Sequence, residues 1–450
     1  MTLRAFRIGA PLLDALARGG GGAGAVLLLA DAEYGRRLLL LRAVLDRARE
    51  HGGAVAAGAS GLFEVLAGAR RTAPDATRRV LGHPSVGPRL VMSWRALAQP
   101  GPVASLPLSD VAAAAAVATG QHAEVTLTAS GPGAVLPGVG AAVLPGAARG
   151  SALLLRDGVL ETEGGTRLRV AGPGTRSEGG TPVRTPGAEG ARWWPPPRVE
   201  GTRAVLDDVD PVAAAGAPRV RLNGDEVRAW RSGTTGALRL LRARHPGHAA
   251  EVVAGLRALV PLPAAGGDVH RSGSAAEMFG GVALTLPASA AALAETLVHE
   301  VQHSKLVAVM HLVDLLDPAP HAQRQRLLYA PWRDDPRPLS GLLHGTYAFL
   351  SVARFWFVEA QAARTAPERH RAQVRCARWR EAAAEAAATL LAHEDGLTHT
   401  GHRFVAVMHA ALAELSEVPL PAAAVREARR HAEGHRVRWM ARNAADAAPA

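Results

Sequence analysis

From residue 8 to about 120, apolar positions return at helical spacing. Between Leu27 and Ala48 arginines take the face opposite the apolar one, and Ser60 to Ala69 repeats the habit. His83-Pro84-Ser85-Val86-Gly87-Pro88 interrupts the period and predicts a turn between helices. Between 122 and 222 the pattern shortens. Glu124–Thr128, Ser151–Leu155, Arg167–Val170 and Arg219–Leu222 are β-prone and bounded by Gly and Pro clusters. They predict a small, mostly antiparallel β region with long loops, of which Ala171 to Arg192, dense in Gly, Pro, Ser and Thr, reads as mobile. Helical periods resume over Gly236–Val260, Ala288–Leu316, Leu339–Ala363, Pro367–Leu391, Thr400–Leu415 and Ala422–Arg442, with the strand-like Gly281–Leu286 leading into the second of them. The expectation is an α+β, predominantly helical chain with a helical region at 1–121, a β-rich region at 122–222 and a helical metal-binding domain at 223–450.

Composition narrows this picture. With 48% hydrophobic and 20% charged residues, 450 residues suffice for a sizeable core without extensive disorder. The net charge is +11, yet the basic residues are almost all arginine, Lys305 being the only lysine, and no basic run interleaved with aromatics occurs. No nucleic-acid partner is expected from this. The single cysteine, Cys376, rules out an intrachain disulfide and zinc–thiolate clusters, and it reads as a small buried residue of a helix. Met1 to Leu13 lacks an apolar signal region, and no stretch approaches ~20 uninterrupted apolar residues. The chain therefore reads as soluble and cytoplasmic, with no membrane partner.

The candidate chemistry sits in the helical period after Ala288. His299-Glu300-Val301-Gln302-His303 is an H-E-x-x-H pattern. On a helix its histidines, at i and i+4, project from one face about one turn apart (~6 Å) and can reach one divalent metal. Glu300 lies round the helix, where it could serve a metal-bound ligand. A third ligand must come from His311, Asp314, Asp317, His344 or Glu359. The extended metzincin motif would need Gly at 306 and His at 309, where this chain has Leu306 and Val309. His311 lies ~12 Å along the axis from His303 and reads as a supporting or core histidine. Glu359 is the ligand a gluzincin-like peptidase would use. His344 is favoured, because it begins a helical turn in an apolar segment beside Gly345, which permits close approach of another helix. Just ahead of it, Pro331-Trp-Arg-Asp-Asp-Pro-Arg-Pro338 holds Arg333 and Arg337 in a Pro-bounded turn. Each offers a planar fork suited to a carboxylate, and Asp334 and Asp335 offer local salt bridges instead.

Together these segments carry a resemblance. Leu297–Leu306, Tyr329–Pro338 and Gly341–Phe349, with Ser272-Gly-Ser274, Phe279-Gly-Gly281, Leu397-Thr-His-Thr-Gly401 and Phe404, resemble the HExxH-motif proteins of actinobacterial peptide natural-product clusters, a family of α-ketoglutarate-dependent peptide β-hydroxylases. The likeness spans roughly 270 to 405, and in the N-terminal half it touches only His83-Pro84-Ser85. It implies that His299, His303 and His344 bind Fe(II), that Arg333 or Arg337 clamps the distal carboxylate of α-ketoglutarate, and that Glu300 orients a metal-bound group. The implied reaction uses O2 to hydroxylate the β-carbon of a residue in a ribosomally made precursor peptide. A three-histidine set departs from the usual two-His, one-carboxylate iron triad, and imidazole suits zinc equally. Two other functions remain open on the residues alone. One is a zinc metallopeptidase in which Glu300 activates a zinc-bound water; the other is a non-catalytic peptide-binding component.

Overall fold

The computed structural model describes residues 6–99, 103, 106–172, 183–184, 190–213, 221–263, 271–317 and 327–443. Thirteen α-helices and small sheets among them make the chain α+β and predominantly helical. It divides into two compact units: one of Met1–Leu3, Ala30–Thr235 and Leu256–Ala288, the other of Arg4–Leu29, Gly236–Gly255 and Ser289–Ala450. Among the described residues no single helix is long and apolar enough to cross a membrane.

In the first unit, the N-terminal helical periods become α1 (Ala10–Ala17, in the second unit), α2 (Gly22–His51), α3 (Gly53–Thr72), α4 (Pro74–Leu81), α5 (Val86–Ala98) and α6 (Leu108–Thr119). The turn expected at His83 falls between α4 and α5. Helix α6 is the centre of this core. Val111 through Val117 are all buried, and α3 and α4 pack on it. Its alanines let neighbouring backbones come close, and Gly120, in the left-handed region at φ 65°, ends it as a helix C-terminus favours.

The β region holds β1 (Glu124–Thr128), β2 (Gly133–Leu136), β3 (Gly140–Val143), β4 (Ala152–Arg156), β5 (Val159–Thr162), β6 (Arg167–Arg169), β7 (Val183–Arg184), β8 (Arg192–Trp194) and β9 (Val205–Leu206). Strands β1-β4-β5-β6 form one antiparallel sheet and β2-β3-β8-β7 another. Val125, Leu127, Leu153, Leu155, Leu160 and Leu168 alternate inward and join the α6 core, while the arginines between them face out. Most of the Ala171–Arg192 loop lies outside the described residues. So does Arg219-Val220 of the expected fourth strand, and the described Arg221 and Leu222 are not in a strand.

The expected helix Gly236–Val260 is corrected. It splits into the end of α7 (Gly224–Arg244), α8 (Pro246–Gly255) and the strand β10 (Ala258–Pro261). Pro246 cannot donate to the helix of α7 and begins a new one. Ala258–Pro261 becomes strand because it pairs in parallel with β9 and with β12 (Gly281–Leu284), and the two-residue β11 (Ser272–Gly273) closes the sheet antiparallel to β12. A parallel partner lies far along the chain, so its pull is invisible in a local pattern.

The second unit is built on α9 (Ala290–Met310), α10 (Leu339–Ala362), α11 (Ala366–Ala392), α12 (His399–Ser416) and α13 (Ala422–Asn443). Their ends are set locally. Ser289 caps α9 by accepting the Ala292 amide, and Thr365 with Glu368 forms a reciprocal capping box at α11. Thr398 caps α12 and donates to the Asp314 carbonyl at 2.5 Å. Helices α10 and α11 form a hairpin through a three-residue link, α9 packs on α10, and α12 and α13 pack on α11. Gly401 admits the Leu315 carbonyl against the first turn of α12, a space any Cβ would fill. Cys376 is buried in α11, where burial pushes its thiol up to about 11, and it is no reactive nucleophile.

Candidate metal centre

The motif helix α9 is apolar over most of its surface, with Leu293, Ala294, Leu297, Val298, Val301 and Leu306 buried. That burial fixes the rotation of the helix, and with it the direction of the i and i+4 histidines. The Nε2 atoms of His299 and His303 lie 3.0 Å apart, their rings edge to face. His344, in the second turn of α10, brings its ring centroid to 5.8 Å from that of His303. His299 and His303 thus face each other along α9 and His344 approaches His303 from α10, but the donor atoms of the three do not all lie within 4.8 Å of one another; each residue is half-buried. Burial lowers His299 to about 4. Burial, with the Arg337 guanidinium nearby, takes His344 to about 4. His303 is held well below the ordinary imidazole value by burial first, then by its two neighbours. All three are neutral at pH 7 and offer lone pairs to a metal.

The His299–His303 pair fits a first-row divalent ion. Two nitrogens 3.0 Å apart, each ~2.1 Å from a shared metal, subtend about 90°, the angle between adjacent positions of an octahedron. Glu300 is buried beside this pair, on the next face of α9. The remaining ligand candidates lie elsewhere. His311 is the C-cap residue of α9. Asp314 and Asp317 stand in the segment beyond it, bonded through their backbones to Thr398 and Gly396. Glu359 sits some four turns along α10 from His344, where Arg244 at 2.7 Å and His245 at 2.9 Å hold its carboxylate.

The turn before α10 is held at both ends. Leu328 and Arg337 exchange backbone hydrogen bonds of 2.7 and 2.8 Å, and Arg378 of α11 donates to the Pro331 carbonyl at 2.5 Å. From α13, Arg442 pairs with Asp334, and His435 accepts or donates at 2.9 Å to the Tyr329 hydroxyl. Asp335 takes both arginines of the turn. Arg333 donates through Nε at 2.6 Å and is half exposed, while Arg337 reaches it only at 3.3 Å. Arg333 is therefore committed to the local salt bridge that the sequence offered as an alternative. The Arg337 guanidinium lies against Gly341, one turn before His344, and its charge acts on that imidazole.

A wall of aromatic rings, not singled out from the sequence, flanks the histidines. Phe349 packs edge-on to His299 at 5.1 Å, Trp332 stacks on Phe349 at 4.8 Å, and Trp379 lies 4.5 Å from it on the other side. Gly345 makes the wall possible, since a Cβ there would fall inside the Trp332 indole. Trp332 and Phe349 stand in two of the motif segments, but Trp379 lies outside them, and the meeting of the three depends on the α10–α11 hairpin.

No family model matches the chain, and no curated protein matches it.

Proposed function

We propose that this protein is an Fe(II)/α-ketoglutarate-dependent hydroxylase acting on the β-carbon of a residue in a ribosomally made precursor peptide. The observation that carries the reading is the His299–His303 pair with Nε2 atoms 3.0 Å apart, approached by His344 from α10, whose imidazole is lowered by burial and by the charge of Arg337. The three imidazoles would hold Fe(II), which supplies the O2-dependent oxidation coupled to decarboxylation of α-ketoglutarate. Arg337 gives the co-substrate's distal carboxylate a fork of parallel donors close to the metal ligands. Glu300, buried beside His299, orients a polar group at the centre. The Trp332–Phe349–Trp379 wall excludes water on one side and offers apolar surface to the peptide side chain. Such a reaction belongs in the cytoplasm, where the precursor peptide is made. The capture of Glu359 by Arg244 and His245 weighs against a gluzincin-like zinc site.

The test is incubation with Fe(II), α-ketoglutarate, ascorbate and the peptide encoded beside its gene, read by peptide mass. A gain of one oxygen is expected; cleavage of the peptide instead would replace this reading by the peptidase one. A second expectation follows for the turn. Arg337→Lys keeps the charge but loses the fork, at ~1.5–3 kcal/mol per charge-assisted hydrogen bond. The apparent affinity for α-ketoglutarate should then fall about tenfold or more, one decade per ~1.4 kcal/mol. Iron content should be unchanged, and Arg333→Lys should leave the co-substrate affinity within about twofold of the parent. If both lysine variants match the parent, the carboxylate is held elsewhere.

A further inference from the structure

The first unit contains a second group of potential ligands, far from H-E-x-x-H in sequence. His83 lies in the turn between α4 and α5, and Asp207 and Asp210 follow directly on β9. One donor atom from each lies within 4.8 Å of the other two, and the residues are 4%, 2% and 2% exposed. Local bonds set this up. The Asp207 amide donates to Leu259 of β10 at 2.7 Å, and Asp207 Oδ1 accepts the Asp210 amide at 3.1 Å.

Hydrogen bonds also fix the proton positions. Ser85 Oγ gives its proton to Asp210 Oδ2 at 2.6 Å, so it accepts from His83 Nδ1–H at 2.9 Å. That leaves His83 Nε2 with a lone pair aimed at Asp207 Oδ2, 3.4 Å away. Neither atom has a hydrogen-bond partner. Two buried acceptors facing each other require a positive species between them. A proton would draw them to ~2.7–3.2 Å, the range of N–H···O bonds. The observed 3.4 Å is wider, and is the separation of two ligands ~2.1 Å from one ion at about 110°.

Charge points the same way. Arg89 pairs with Asp210 and Asp110, whereas Asp207 faces the neutral His83 at 3.4 Å and burial pushes its carboxyl up to about 7, as expected of a buried carboxyl that lacks a cation beside it. Asp210 itself is saturated by Arg89 at 2.9 and 3.0 Å, Ser85 and the Val212 amide, so it contributes charge and position more than a lone pair. The Nδ1–H donated to Ser85 matches how a ligating histidine is oriented by a neighbour. A cleft of about 150 Å³ lined by Arg89, Asp110, Pro211 and Val212 brings solvent to the edge of the cluster.

We propose that His83 and Asp207, backed by Asp210, bind one divalent transition-metal ion of the zinc class at a second, structural site that fastens the α4–α5 turn to the end of β9. The ion replaces the missing donor between Nε2 and Oδ2, and water fills its remaining positions.

The test uses the full-length His299→Ala/His303→Ala protein, so that metal bound at the H-E-x-x-H centre does not contribute. After metal stripping and titration with Zn(II), the expected result is one equivalent bound and a rise in Tm on zinc addition. Adding Asp207→Asn, which keeps the side-chain shape, should remove both the bound equivalent and the Tm rise. His83→Ala should do the same. Absence of zinc binding by the folded His299→Ala/His303→Ala protein overturns the proposal, as does undiminished binding after Asp207→Asn. Both readouts are independent of hydroxylation.

Discussion

His299→Ala or His303→Ala is expected to strip the protein of its catalytic metal and to abolish peptide hydroxylation. On the proposed reading each imidazole would supply one of three protein ligands, and the 3.0 Å separation of the two Nε2 atoms is the feature that would let one ion take both. Loss of an outer partner of a ligand already costs about 10–100-fold in affinity or activity, so loss of a ligand should exceed ~100-fold. His344→Ala should behave in the same way, because in the proposed site His344 is the ligand contributed by α10. Glu359→Gln should keep the metal, since its carboxylate is bonded to Arg244 and His245. Iron per chain, measured after anaerobic reconstitution, is the readout. Because the second unit contains none of the residues of the His83 cluster, the fraction bound there is subtracted with the Asp207→Asn background. Full occupancy of the catalytic site in the His299 or His303 variants, or loss of metal in Glu359→Gln with retention in His344→Ala, would overturn the assignment.

The second large effect is on stability. Lys305 follows His303 by two residues on α9 and is fully buried. Its ammonium donates to the Glu251 carboxylate of α8 at 2.9 Å and to the Gly19 and Gly20 carbonyls, at the end of α1, at 3.2 and 2.7 Å. Glu251 in turn accepts the Gly22 amide at 3.0 Å and Gln302 at 3.2 Å. Burial pushes the Glu251 carboxyl up, but His248 and Lys305 outweigh it and hold it below its ordinary value. Lys305→Met would leave that charge without its cation and two carbonyls without the ammonium donor. Breaking a buried pair from one side costs about 3–5 kcal/mol. Chemical denaturation should show a loss of that size, and Lys305→Met with Glu251→Gln should be less destabilised than Lys305→Met alone. A loss under ~1 kcal/mol for the single variant would show the pair to be dispensable. The clamp matters for the candidate site, because it ties the motif helix to α8 and the α1–α2 corner within two residues of His303.

Much of this was written in local pattern. Long helical periods placed α10 to α13 to within a residue or so at each end, while the period expected to run to Leu316 stops as α9 at Met310. A helix also guarantees the facing of His299 and His303, because i and i+4 share a face whatever the surroundings. What local pattern could not carry is anything settled by residues distant in the chain. Ala258–Pro261 reads as the tail of a helix, and parallel pairing with β9 and β12 makes it a strand. His344 stands 41 positions beyond His303, and only the packing of α10 on α9 makes the two neighbours. The sequence gives little to choose between Arg333 and Arg337; Asp335 takes both, the first closely at 2.6 Å and the second at 3.3 Å, and it is the charge of the second that acts on His344. Glu359 was an open ligand until Arg244 and His245 were seen to hold it. His83 and Asp207 are more than a hundred residues apart, and they meet because burial in the first core leaves the α4–α5 turn and the end of β9 no other place. Spacing along one helix is fixed by backbone geometry, whereas contact between elements is fixed by which buried surfaces and charges find each other.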